Sequence, residues 1–367
     1  MSVGTTEGIT IDELQLAVRN HSMPLEGLRY DVTPIGMHYL LTHFDIPLVD
    51  AARYELSVGG RVRKPLRFTL EEITAKPATT LAVTLECAGN GRARLSPRPV
   101  SQPWLGEAVG NAEWTGTPLA SILEEAGLLA DAASVVFTGL DRGVQGAVDQ
   151  WYERGLSLED AMRPEVLLAY GINGVPLPPQ HGFPLRVIVP GWYGMTHVKW
   201  LRSITVTDTP FAGFQQAVKY QYRAAANEAA SPVTRILPRA LMVPPGMPDY
   251  MTRKRFVKPS TVSIEGRAWS GRGAVAKVEF SADGGATWSL AELDRGTSPH
   301  GWRRWTHTWD ATRPGEYELC ARATDTAGNA QPLEQRWNVE GVQNNAIQRI
   351  AVVVGASHEV QVPADAE

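Results

Sequence analysis

Apolar and polar positions follow no regular period over residues 1–50, a stretch rich in Pro and His. Patterning begins at Tyr54-Glu55-Leu56-Ser57-Val58, whose alternation predicts a strand running into the Gly59-Gly60 turn. Thr69-Leu70-Glu71-Glu72-Ile73 predicts a short helix capped by a hydroxyl and by a glutamate three residues on. Residues 118–126 have helical spacing, with Pro118 at the start and Gly127 past the end. Apolar runs at 134–138, 166–170 and 185–189 predict strands, and Leu81-Ala82-Val83 reads as the end of another. From about Ala224 to Pro248 the chain becomes aperiodic and rich in Ala and Pro, which predicts a linker.

Beyond the linker the pattern is all-β. Residues 261–266, 276–281 and 316–323 alternate, and Asp283-Gly284-Gly285 supplies a hairpin turn before a strand at Thr287-Trp288. Short strands at this spacing, with several Trp and with Cys320 inside the last of them, predict an immunoglobulin-like sandwich. Cys320 is expected to be a core residue. The expected organisation is therefore α+β: a mixed α/β domain over residues 1–230, then an all-β immunoglobulin-like sandwich over 235–367.

Composition narrows the function classes. A chain of 367 residues has room for two or three cores, and 43% hydrophobic with 20% charged content is that of an ordinary soluble protein. A net charge of −4 gives no reason to expect nucleic acid or an anionic membrane as partner. No apolar run approaches the roughly 20 residues of a membrane span. Met1–Ile11 shows no export signal, so a cytoplasmic site is expected, or a periplasmic one if a leader was removed. Two widely separated cysteines do not make a disulfide framework. Eleven Trp and 26 Pro suggest rigid loops and a broad pocket.

Candidate chemistry gathers at two places. Cys87 stands where an apolar run meets the turn Gly89-Asn90-Gly91, with Arg92 five residues on. Such a thiol is a candidate nucleophile, redox centre or soft metal ligand, or simply a small buried hydrophobe. The segment 178–201 sets His181, Arg186, His197 and Lys199 around one apolar strand. Donors on loops at both ends of a rigid strand suit an anionic, heterocyclic ligand. Alternatively the histidines are satisfied core residues and the cations are solvated.

Longer motifs resemble the sulfite oxidase family of molybdenum-cofactor enzymes: Glu86-Cys87-Ala88-Gly89-Asn90, His181-Gly182-Phe183-Pro184 and His197-Val198-Lys199-Trp200-Leu201. Trp114-Thr115-Gly116-Thr117-Pro118-Leu119 and Gly139-Leu140-Asp141 add to the likeness. The C-terminal half is similar to that family's dimerisation domain, through Ala268-Trp269-Ser270-Gly271 and Ser281-Ala282-Asp283-Gly284-Gly285. The resemblance implies a molybdenum–molybdopterin cofactor held by one protein thiolate, at Cys87. It implies pterin contacts at Tyr39, Thr42, His43, Asp141, His181, Arg186, His197 and Lys199. It also implies an oxyanion pocket lined by Arg92, Trp104 and Tyr170, with oxo transfer to sulfite as the activity.

Departures from the family pattern bear on substrate. Leu41 stands where family members carry an arginine, and Val100 where they carry a lysine. Arg272 follows Ala-Trp-Ser-Gly two residues early, so its place in the pocket is open. Without a Cys-x-x-Cys-His haem signature, electrons are expected to pass to a separate acceptor such as a cytochrome c. A homodimer through the second domain is expected, on Trp302, Trp305 and Trp309 read as exposed. The alternatives are a sulfane dehydrogenase, an S- or N-oxide oxidoreductase, or a non-catalytic binding module.

Overall fold

The structure is a computed structural model that describes residues 5–6 and 8–355. Part of the N-terminal stretch read for an export signal lies outside the described residues. The chain divides into two compact units. The first takes residues up to 23, 32–236 and 336–344; the second takes 24–31, 237–335 and 345 onward. Among the described residues no helix is long and apolar enough to cross a membrane.

The first unit is built on two five-stranded sheets. One joins Leu66–Thr69, Glu55–Gly60, Leu201–Thr207, Ser134–Gln145 and Val148–Ser157 in that order. Its only parallel pair is Leu201–Thr207 with Glu55–Gly60. The other is antiparallel: Val175–Pro176, Leu167–Ile172, Val109–Pro118 and Thr79–Glu86, with Arg186–Ile188 also beside Leu167–Ile172. The strands predicted in this unit all form, and several run longer than their apolar cores.

Both predicted helices form at their caps. Thr69 and Glu72 close a reciprocal capping box on Leu70–Thr74. Leu119–Ala126 ends at Gly127, whose φ of 68° suits a residue without Cβ. A third helix, Ile11–Arg19, lies in the stretch read as irregular. Its signal was present: Thr10 and Glu13 form the same capping box. Glu13 then turns inward to pair with Arg98, which ties this helix to the segment 98–102.

The second unit carries two sheets on one core. Arg239–Met242, Ser260–Trp269, Arg303–Ala311 and Glu292–Leu293 form the first. Met247–Pro248, Arg255–Val257, Gln348–Val354, Gly315–Asp325, Val275–Ser281 and Ser289–Leu290 form the second. Ile264 and Trp305 from one sheet meet Val278, Phe280, Leu319 and Val352 from the other. Cys320 is fully buried, as expected.

Two expectations fail here. Trp302, Trp305 and Trp309 are not exposed; their accessibilities are 4%, 0% and 5%. Trp305 and Trp309 sit four apart on one strand, so period-2 alternation sends both to the inner face. Trp302 is covered too, and its indole N–H donates to the Asp31 carbonyl at 2.8 Å. The linker is also shorter than its composition suggests, because Arg239–Met242 is a fully buried strand.

Candidate functional site

Cys87 directly follows a strand whose eight residues all pair, from Thr79 with Gly116 to Glu86 with Val109. The ladder therefore fixes its position. Its N–H donates to the Ala108 carbonyl at 2.9 Å, and its own carbonyl accepts from the Asn90 N–H at 3.0 Å. The Asn90 amide donates to Glu86 and to the Gly106 carbonyl, both at 3.0 Å, and locks the turn. A Cβ at Gly89 would lie 2.6 Å from the Arg92 guanidinium and would displace it, so glycine there lets the arginine pack close to the turn. Burial pushes the Cys87 thiol above its ordinary pKa, and the nearby Arg92 only partly offsets this. The cation alone does not make a thiolate here.

Two cavities meet at this thiol. Both open to solvent, and the space in and at the mouth of each is about 680 Å³ in one and about 1060 Å³ in the other. Both are lined by Leu41, His43, Cys87 and Tyr220.

The smaller cavity holds the cationic cluster. Arg186 donates to the His181 carbonyl at 2.9 Å and the His197 carbonyl at 3.1 Å, and its guanidinium lies 4.7 Å from the Trp114 ring centre. Lys199 donates to the carbonyls of Leu41 at 2.9 Å and Gln180 at 3.0 Å. These cations are thus pinned to backbone oxygens rather than solvated. Burial lowers Lys199 and raises Asp141, its buried counter-charge.

The histidines here are neutral. Burial holds His38 at about 4, His181 at about 2 and His197 at about 3. His197 accepts from the Val189 N–H at 3.1 Å through Nδ1, which leaves Nε2 to donate to the Trp192 carbonyl at 3.0 Å. Both its nitrogens are engaged, so His197 braces the loop and has none left for a ligand. His43 lines both cavities and meets Gln145 Oε1 at 2.9 Å through Nε2.

The larger cavity carries Arg92 and Trp104. Arg92 donates from Nε to the Glu340 carbonyl at 3.0 Å and from Nη1 to the Gln102 carbonyl at 3.2 Å. The Trp104 indole N–H is buried and faces the Cys87 thiol, whose ionised form it favours. Leu41 and Val100, the departures that replace family cations, both line this cavity. Thr42 lines it as well; its N–H donates to Asn20 Oδ1 at 2.7 Å and its buried hydroxyl is unpartnered.

All but one of the expected site residues line one or both cavities. The exception is Tyr170. On the strand Leu167–Ile172, Leu167 and Ala169 face the core that contains Cys87, whereas Leu168 and Tyr170 pack into the other core. Alternation puts the Tyr170 phenol on the wrong side of the sheet. Of the tyrosines that line the cavities, Tyr220 is the one shared by both. Its φ of 56° is a left-handed conformation costing a tyrosine roughly 1–2 kcal/mol. Burial pushes it up to about 12, so it is a hydrogen-bond donor at neutral pH. His38 and Tyr152 were also missed. The Tyr152 hydroxyl donates to the Met195 carbonyl at 2.9 Å. Arg272 belongs to the second unit, in the turn after Ser260–Trp269, where its N–H donates to Ser270 Oγ at 3.1 Å.

The donor set fits a metal that brings its own ligands. Among the described residues no group of three or more His, Cys, Asp or Glu side chains is placed to hold a metal ion, which leaves Cys87 as the soft donor. Around it, His38 Nε2, Asp141 Oδ1 and Arg186 Nε are buried and unpartnered. Such a mixture of donors and acceptors suits a polar heterocycle.

Comparison with known proteins agrees with this geometry. The family described as "Oxidoreductase molybdopterin binding domain" matches residues 43–215, and "Mo-co oxidoreductase dimerisation domain" matches 242–355. Sulfite oxidase of Gallus gallus is 34% identical over 345 residues, covering 87% of this chain and 72% of that protein. Mitochondrial sulfite oxidase of Homo sapiens is also 34% identical, over 88% of this chain, but the match spans only 62% of that protein. Nitrate reductase (NADH) 1 of Arabidopsis thaliana is 30% identical over 94% of this chain and 41% of its own length. Among solved structures, the sulfane dehydrogenase SoxCD from Paracoccus pantotrophus superposes with a TM-score of 0.78 at 25% identity, over 96% of this chain and 94% of that one.

Proposed function

Because this chain belongs to the sulfite oxidase family of molybdenum-cofactor oxidoreductases, we propose that it oxidises sulfite to sulfate. The carrying observation is that Cys87 sits where the two cavities meet. The smaller cavity would hold the pterin through Arg186, Lys199, His181, His38 and Asp141. The bound metal would supply oxo transfer and take up two electrons. Sulfite and water give sulfate, two protons and two electrons, and the electrons leave to a separate acceptor such as a cytochrome c.

The chain's own part is binding and orientation. Arg92 is held by two carbonyls, so its guanidinium is set before an anion arrives. Tyr220 adds a phenolic donor to the same cavity. The buried Trp104 and the partly buried Leu41 limit water at the thiol. The second unit reads as an immunoglobulin-like body through which two chains pair. The matched dimerisation domain supports that reading.

A second reading has its own support. Leu41 and Val100 make one wall of the substrate cavity apolar, which suits a larger or less charged sulfur compound. The likeness to a sulfane dehydrogenase points the same way. A steady-state screen of molybdenum-loaded protein with sulfite, thiosulfate and an organic persulfide, using ferricyanide as acceptor, separates the two. The sulfite reading predicts the highest kcat/KM for sulfite. Turnover of the persulfide without turnover of sulfite would replace it.

A further inference from the structure

The substrate cavity lacks cations at positions 41 and 100, yet Arg92 is not its only positive charge. Lys219 lines the same cavity as Arg92, Leu41 and Val100. We propose that Lys219 is the second cation that binds the substrate oxyanion, and that Glu340 holds it in readiness. This rests on the reading of the larger cavity as an oxyanion site.

The geometry around Glu340 carries the argument. Its carbonyl accepts from Arg92 Nε at 3.0 Å. Its carboxylate accepts from the Tyr220 N–H at 2.8 Å. The same carboxylate faces Lys219 Nζ at 3.6 Å, close enough for an ion pair but beyond hydrogen-bonding distance. One residue therefore holds the arginine side chain, the main chain of Tyr220 and the lysine of the pocket. The lysine is the loosely held member, and its flexible stem can cover the remaining distance to an anion at Arg92.

Backbone conformation places the lysine there. Neighbouring side chains on an extended chain point to opposite sides. Lys219 and Tyr220 nonetheless line one cavity, and Tyr220 itself leaves the extended region with a φ of 56° just before the strand Gln221–Tyr222. The Lys219 charge also acts on His43, which both cavities share, and helps keep that ring neutral. With Arg92 and Lys219 positive and Glu340 negative, the resting pocket holds one excess positive charge. An anion that draws Lys219 away from Glu340 meets two cations.

Calorimetric titration of molybdenum-loaded protein with sulfate, at fixed pH and ionic strength, tests this directly. Lys219→Gln should weaken sulfate about tenfold or more, the worth of a charge-assisted contact. Lys219→Arg should stay within about threefold of the parent, because it keeps the charge. Glu340→Gln should tighten sulfate, since its amide oxygen still accepts from Tyr220 while the counter-charge is gone. In sulfite kinetics the Lys219→Gln loss should fall mainly on KM. The dependence of sulfate affinity on salt should also be shallower in that variant. Equal sulfate affinity and salt dependence in parent and Lys219→Gln would overturn the proposal, as would unchanged or weaker binding in Glu340→Gln. A parent protein that binds sulfate but does not oxidise sulfite would end the sulfite reading and leave the lysine assignment standing.

Discussion

Lys199 Nζ donates to the Leu41 carbonyl at 2.9 Å, so the residue that walls the substrate cavity is tethered by its main chain to the cofactor cavity. The tether uses the backbone and not the side chain. Position 41 is therefore free to change chemistry without moving the lysine.

Leu41→Arg should accordingly be tolerated and should gain an anion contact. Such a contact is worth roughly 1.5–3 kcal/mol, about one to two decades in affinity. The KM for sulfite, measured at fixed ionic strength, should fall by that order while the pH profile keeps its shape. An unchanged KM or a collapse of activity would show that the pocket is organised around its apolar wall.

The two tyrosines make opposite predictions. Tyr220→Phe removes a phenolic donor from both cavities and should lower kcat/KM for sulfite by at least about tenfold. Tyr170→Phe changes a partly buried ring on the far face of the sheet and should leave kcat/KM within about twofold. Paired steady-state measurements decide between them; a larger loss in Tyr170→Phe would reverse the assignment.

Acid should destabilise the first unit well above the range in which carboxylates titrate. His38, His181 and His197 are neutral when folded, at about 4, 2 and 3, against 6.5 for a free histidine. Below pH 6.5 the unfolded chain binds protons that the folded chain refuses, so stability falls as pH falls. Each histidine contributes up to roughly 1.4 kcal/mol per pH unit until its folded value is reached. Glu13, held at about 2, adds a loss between its ordinary 4.5 and that value. Thermal melts of cofactor-free protein should show a clear drop in Tm from pH 7 to pH 5; a flat Tm would contradict the neutral assignment.

Local signals were legible in the sequence where the physics is local. The Thr69–Glu72 box, the Pro118 and Gly127 helix ends and the alternation at 55–60 all folded as read. The cationic cluster was legible because one strand and its flanking loops carry Arg186, Lys199 and two histidines. Facing was harder: strand alternation turns Tyr170 away from Cys87, and only the fold of the loop ending at Tyr220 brings that phenol into the cavities Cys87 lines. Trp305 and Trp309 failed for the converse reason: two sheets close on one face, and a single strand does not say which face that is. Glu340 lies 120 residues from the Tyr220 N–H it receives, beyond the reach of any sequence pattern.

The central claim is that Cys87 ligates the metal at the meeting of the two cavities. Molybdenum K-edge X-ray absorption on purified parent and Cys87→Ser protein addresses it most directly. The account predicts stoichiometric molybdenum in the parent. It predicts a variant that keeps its fold and much of its molybdopterin, shows one fewer sulfur scatterer at the metal, and has lost turnover. An identical sulfur shell in parent and variant, or a parent free of molybdenum after expression with the cofactor available, would contradict it.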